Sequence, residues 1–174
     1  MNRYGFTLIE LILYVGLITI ILSTVAPFVL TIIQSGVKSA TSQEVYSSAR
    51  YVSERIKSEI RNANSIYEAS STFGVNFATS SGVMFSLNGG IDANPTNIEV
   101  VSGAVRITEG TSTPVLLNSS DTIVTNLTFY NYSTTTITRN IGFTLTMTDS
   151  ATTTRQEYMA TSTIKTSVEL RSFQ

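Results

Sequence analysis

From Leu11 to Val37 the chain runs 27 residues without a charged side chain, and Glu10 stands at the near edge of that stretch. As a helix the stretch is about 40 Å long at 1.5 Å per residue, against a hydrocarbon core of about 30 Å. It is long enough to span a bilayer with residues to spare. A secretory signal peptide is the competing reading, but its apolar region is only about 7–15 residues and ends in a small-residue cleavage site. Ser35 and Gly36 stand near the far end here, and helix-compatible sequence follows them. Arg3 and the start-site amine put positive charge on the near side, which favours a cytoplasmic N-terminus. An ionisable group beside a membrane-length segment is costly, so Glu10 is a functional candidate by default.

The rest of the composition narrows the chemistry. Charged residues are 13% of the 174, about half the usual share, and mean hydropathy is +0.17. The excess apolarity lies in the first 37 residues. There is no Cys and no His. Disulfides, Cys–His and Ser–His nucleophilic machinery and imidazole or thiolate metal sites are excluded, leaving carboxylates as the only strong metal ligands. No phosphate loop, dinucleotide fingerprint or nucleophile elbow is present, so no catalytic residue, no cofactor and no enzymatic activity is expected. Asp92, Asn94, Asn97 and Glu99 are hard oxygen ligands around one turn. Their spacing does not match an EF-hand, and a polar turn is expected rather than a metal site. Beyond Ile66 five basic residues are scattered among eight acids, which disfavours nucleic acid as a partner.

One long helix is expected from about Phe6 to about Asn62. Pro27 inside it removes a backbone donor and crowds the carbonyl of Ser23, so a kink is expected there. Ser23 and Thr24 hydroxyls are candidates to satisfy the freed groups. From Lys38 the helix changes character: Val45, Ala49, Val52, Ile56 and Ile60 form one apolar stripe among charged neighbours, with Arg55 and Glu59 an i, i+4 pair. Such a stripe lays one face on a folded domain. Asn62, Asn64 and Ser65 mark the stop.

The last 109 residues read as β-rich. Ile141, Phe143, Leu145 and Met147 alternate with small or polar residues, the signature of a half-buried strand. Ile123, Leu127 and Phe129 are placed on an earlier strand with Thr125 on the same face. Tyr158, Ala160, Ser162 and Ile164 run in phase with Thr166, Val168 and Leu170, and residues 149–152 connect two antiparallel strands. Shorter candidates are Val83 to Leu87, Ile98 to Val101 and Val105 to Ile107, punctuated by Asn88-Gly89-Gly90 and Asn94-Pro95. Ser and Thr are abundant, as on solvent-facing strand positions. Asn118, Asn126 and Asn131 each open an Asn-X-Ser/Thr triplet of the kind that arises by chance in such a chain. The fold class is α+β, a long N-terminal helix followed by an antiparallel β-rich head.

The run Gly5-Phe6-Thr7-Leu8-Ile9-Glu10 resembles the cleavage and methylation motif of the bacterial type IV pilin and type II secretion pseudopilin superfamily, with all six positions matching. Tyr4 departs from it, since leaders of the family usually place Lys or Arg beside the Gly. Pro27 lies 22 residues beyond Gly5, where pilins commonly carry a proline. The resemblance implies a leader at 1–5, a transmembrane and polymerisation helix at 6–37, its amphipathic continuation at 38–65 and a head at 66–174. It implies cleavage after Gly5 by a prepilin peptidase, N-methylation of Phe6, and pairing of Glu10 with an N-terminal amine during subunit assembly. The implied partners are that peptidase and methyltransferase, other pilin or pseudopilin subunits, an inner-membrane assembly platform, and membrane lipid before assembly. The implied location is the bacterial cytoplasmic membrane, with the head extracytoplasmic, and then the fibre. Within the superfamily the chain looks most similar to J-type minor pseudopilins, which have a long helix, a β-rich head and no disulfide. A membrane-tethered extracytoplasmic binding or adhesion domain sharing a prepilin leader is the alternative.

Overall fold

The computed structural model describes residues 7–90, 93–133, 140–151 and 155–171, with Glu157 described by its backbone alone. The Thr triplets at 134–136 and 152–154 and the leader lie outside them.

A single helix α1, Leu8–Asn62, takes up 55 residues. Its α-helical pattern passes Pro27 without interruption. The hydroxyls near that proline do not serve the Ser23 carbonyl as expected. Ser23 Oγ donates to the Ile20 carbonyl at 2.8 Å and Thr24 Oγ1 to that of Ile21 at 2.9 Å, the ordinary bonds of helical Ser and Thr to the preceding turn. Thr19 and Thr31 do the same toward Val15 and Pro27. The helix thus satisfies these hydroxyls internally, as a span without water requires. It stops at Asn62, where the Ala63 N–H still donates to the Glu59 carbonyl but the chain has turned extended.

The head is two antiparallel meanders. β1 (Ser65–Ile66), β2 (Phe85–Asn88), β3 (Thr96–Val101), β4 (Ala104–Glu109) and β5 (Val115–Leu116) form one sheet in chain order. β6 (Thr122–Asn131), β7 (Asn140–Asp149) and β8 (Thr161–Glu169) form the other. β3 and β4 turn through Ser102 and Gly103 alone, both at positive φ (52° and 77°), as a two-residue hairpin needs.

The stripe of the helix and the inner faces of both sheets meet in one core. Val45, Ala49, Val52, Ile56 and Ile60 are all at most 1% exposed, as are Ile141, Phe143, Leu145 and Met147 of β7. The sheets are joined to each other by phenylalanines. Phe85 of β2 stacks on Phe129 of β6 with centroids 4.3 Å apart, and Phe77 and Phe143 pack on the same ring. Polar ties run the length of the seam: Ser48 to Thr122 (3.1 Å), Ser119 to Glu44 (3.4 Å), Arg55 to Glu109 (2.8 Å) and the Arg171 N–H to the Arg61 carbonyl (3.1 Å).

Two strand expectations need correction. Ile123 and Thr125 do not share the inner face with Leu127 and Phe129. Val124 pairs Met147 and Asn126 pairs Thr146, so Thr125 is an extra residue, a β-bulge that reverses the phase of the strand. Val124 is therefore buried and Ile123 faces out. Tyr158 does not extend β8. It sits in a 3₁₀ turn, Gln156–Tyr158, because its N–H bonds locally to the Arg155 carbonyl (3.2 Å) rather than to a strand.

Replacing Ile56 by Ala should cost about 2–5 kcal/mol of stability, since the side chain is fully buried between helix and sheets. Tyr51→Ala, on the exposed face, should stay within about 0.5 kcal/mol. Denaturant unfolding of the detergent-solubilised chain, followed by circular dichroism, compares the two.

Candidate functional site

The helix begins with a polar cap. Thr7 is extended (φ −81°, ψ 150°) and its Oγ1 accepts from the Glu10 N–H at 3.4 Å, while its carbonyl accepts from the N–H groups of Glu10 (3.1 Å) and Leu11 (3.2 Å). Thr-Leu-Ile-Glu has the spacing of a capping box, Ser/Thr three residues before Glu/Gln. That spacing is itself a sequence signal for a helix start. It places Glu10 in the first helical turn, where the N–H groups that lack helical partners make a positive pole and a carboxylate gains about 0.3–1 kcal/mol. Gly5 and Phe6 lie outside the described residues. Glu10 is exposed and Pro27 lies about 25 Å further along the axis, at 1.5 Å per residue, so the structure does not bring them together.

Beyond the cap every large apolar side chain from Leu8 to Ile33 is 46–76% exposed, and the span makes no contact with the head that buries it. It is one helix long and apolar enough to cross a membrane. Burial on the helix starts only at Val37 and Thr41, partly, and becomes complete at Val45.

The second charged locus is where the helix meets the first sheet. The Arg55 guanidinium contacts Glu59 at 2.9 Å and Glu109, at the end of β4, at 2.8 Å. Ile107, Val115 and Leu117 line a small pocket of about 80 Å³ beside it. The i, i+4 pair expected from spacing is thus one half of a bridge from helix to sheet. Burial pushes the Glu59 carboxyl above the usual glutamate range; Arg55 pulls it down and Glu109 pushes it up.

Asn94 and Glu99, two of the oxygen ligands named around one turn, face different neighbours. Asp92 lies outside the described residues. Asn94 Oδ1 accepts from the Tyr67 hydroxyl at 2.9 Å, and Glu99 sits opposite Arg106 across the β3–β4 ladder. Among the described residues no cluster of three or more acids is found. Asn118, the first of the triplet asparagines, is committed to the fold: its Oδ1 accepts from the Val105 N–H (2.9 Å) and its Nδ2 donates to the Thr122 carbonyl (2.7 Å).

Comparison with family models, curated proteins and solved structures finds no match to this chain.

A carboxyl whose pKa is higher in the folded state than in the unfolded chain holds its proton more tightly when folded. The stability Glu59 contributes is then full below the unfolded value and is lost as pH rises through the folded one. Glu59→Gln should flatten the fall in stability from about pH 4 upward. Urea midpoints measured across that range for both chains check it.

Proposed function

We propose that the chain is a structural subunit, of the minor kind, of a type IV pilus or type II secretion pseudopilus. It is cut after Gly5 by a prepilin peptidase and assembled through its N-terminal helix. The observation that carries this reading is the run from Gly5 to Glu10 set directly before an apolar helix with no cover of its own.

The energetics favour a division of roles. For the apolar side chains, lipid tails and neighbouring helices are nearly equivalent surroundings, so transfer from bilayer to fibre is close to neutral for them. Escape into water is not, at about 1.5–3 kcal/mol for each large side chain exposed. Helix packing therefore keeps a subunit in the fibre without fixing where it sits. Glu10 differs between the two settings. At the bilayer edge it reaches water and the positive pole of its own helix. Inside a bundle it loses the water, at several kcal/mol, and an amine at Phe6 of a neighbour restores the balance only at one axial stagger. Pro27 serves as the point where the helix yields to its neighbours.

The alternative, a membrane-tethered binding or adhesion domain, shares the anchor and differs in the fate of the chain: it stays in the membrane and never enters a fibre.

Glu10→Leu should leave insertion and cleavage intact and lower recovery in sheared surface fibres, relative to wild type, by at least about tenfold, the factor that 1.4 kcal/mol gives. Equal recovery of the two in quantitative mass spectrometry would sink the role of Glu10. Gly5→Leu should abolish cleavage, and a mature N-terminus at Phe6 in that variant would contradict the processing site.

A further inference from the structure

The outer face of the three-stranded sheet carries a pattern unrelated to the core or to the apolar helix. The register places Tyr130, Gly142 and Ser167 in one row across it, then Thr128, Thr144 and Lys165, then Asn126, Thr146 and Thr163, then Ile123, Thr148 and Thr161. Asn140 and Glu169 form the next row beyond Tyr130, Gly142 and Ser167, at the tyrosine end. Among the described residues these rows hold one cation, Lys165, and one anion, Glu169, and hydroxyl and amide groups make up most of them. The hydroxyls are ordered by one another: Thr146 Oγ1 lies 3.1 Å from Thr163 Oγ1 across the strands, and beneath them Thr128, itself buried, donates its Oγ1 to Asn126 Oδ1 at 2.8 Å.

Two aromatic rings stand at one end of this array. Tyr130 and Tyr132 are parallel within 4°, with centroids 6.0 Å apart, and Tyr132 is 58% exposed. The Tyr132 ring lies over Gly142, where a Cβ would come within 2.1 Å of its Cε2. Glycine in a strand interior is unfavourable by about 0.5–1 kcal/mol relative to alanine. Here it opens space for the Tyr132 ring to reach over the neighbouring strand beside Tyr130.

We infer that this face is a binding platform for a neutral polysaccharide or glycan, with sugar rings resting on Tyr130 and Tyr132 and their hydroxyls meeting the Thr and Asn rows. The chemistry matches on both counts. The C–H face of a pyranose carries slight positive charge and suits the negative face of an aromatic ring. Its hydroxyls need a dense field of donors and acceptors, which Thr144, Thr146 and Thr163 supply. The charge balance disfavours a nucleic acid, which needs a basic stripe. The shortage of apolar side chains on the face disfavours a packed protein partner. The inference stands whether or not the chain enters a fibre.

The test is calorimetric titration of the full-length chain in nanodiscs with hexasaccharides of β-linked glucose, α-linked glucose and β-linked N-acetylglucosamine. At least one should bind saturably, and Tyr130→Ala and Tyr132→Ala should each weaken it about three- to tenfold. Tyr132→Phe should keep the affinity, and Thr163→Val should lower it with an unchanged melting temperature. Should Tyr132→Ala unfold the head by uncovering Gly142, Tyr130→Ala and Thr163→Val decide, because both leave the Tyr132 ring in place. No saturable binding of any of the three sugars overturns the inference, as does binding that neither alanine variant weakens. Binding of a single-stranded oligonucleotide or an anionic oligosaccharide, with none of the neutral sugars, overturns it too.

Discussion

One seam organises this molecule: the stripe from Val45 to Ile60 against the inner faces of two sheets. Neither sheet is self-sufficient. The three-stranded sheet has a single apolar face, and the five-stranded one begins and ends in strands of two residues. The helix supplies the third wall, and the phenylalanines around Phe129 close the angle between the sheets. With no disulfide available, burial at about 25 cal/mol per Å² is the main term holding the head together. Hydrogen bonds along the seam, such as Ser48 to Thr122, fix its alignment more than its strength.

The parts of the fold that could be read from sequence are those where one periodicity runs unbroken. The helical stripe and the β7 alternation are of this kind, and each residue named in them is buried. β6 shows how such reading fails. A single bulged residue, Thr125, reverses which side chains face in, and no local signal announces it. β1 and β5 are too short to carry any period; they exist because an adjacent strand offers them partners. The capping box at Thr7 was legible and was overshadowed by the motif around it. The pairing of Tyr132 with Gly142 was not legible, because it depends on the register between two strands.

Glu10 gains little from its own helix. Its N–H donates to the Thr7 cap, and its carboxylate stands in the first turn by the positive pole of α1, a modest gain of about 1 kcal/mol at most. That is small against the several kcal/mol of burying a carboxylate, so the first turn alone does not offset taking this acid out of water. The hydroxyls further along the span behave differently. Thr19, Ser23, Thr24 and Thr31 are satisfied by their own backbone and make no demand on a neighbour.

Because α1 passes from the exposed apolar stretch into the core without a break, the head is not hung from its anchor by a tether. It is bolted to it in azimuth. Each residue of an α-helix advances the side-chain direction by about 100°, so the spacing between Val37 and Val45 sets which side of the head lies above which side of the span. Were the apolar stretch set in a bilayer, the direction of its part beyond Pro27 would become the head's inclination, and its rotation about the helix axis would decide which way the Tyr130–Tyr132 face looks. In this chain, compass bearing is encoded in residue count.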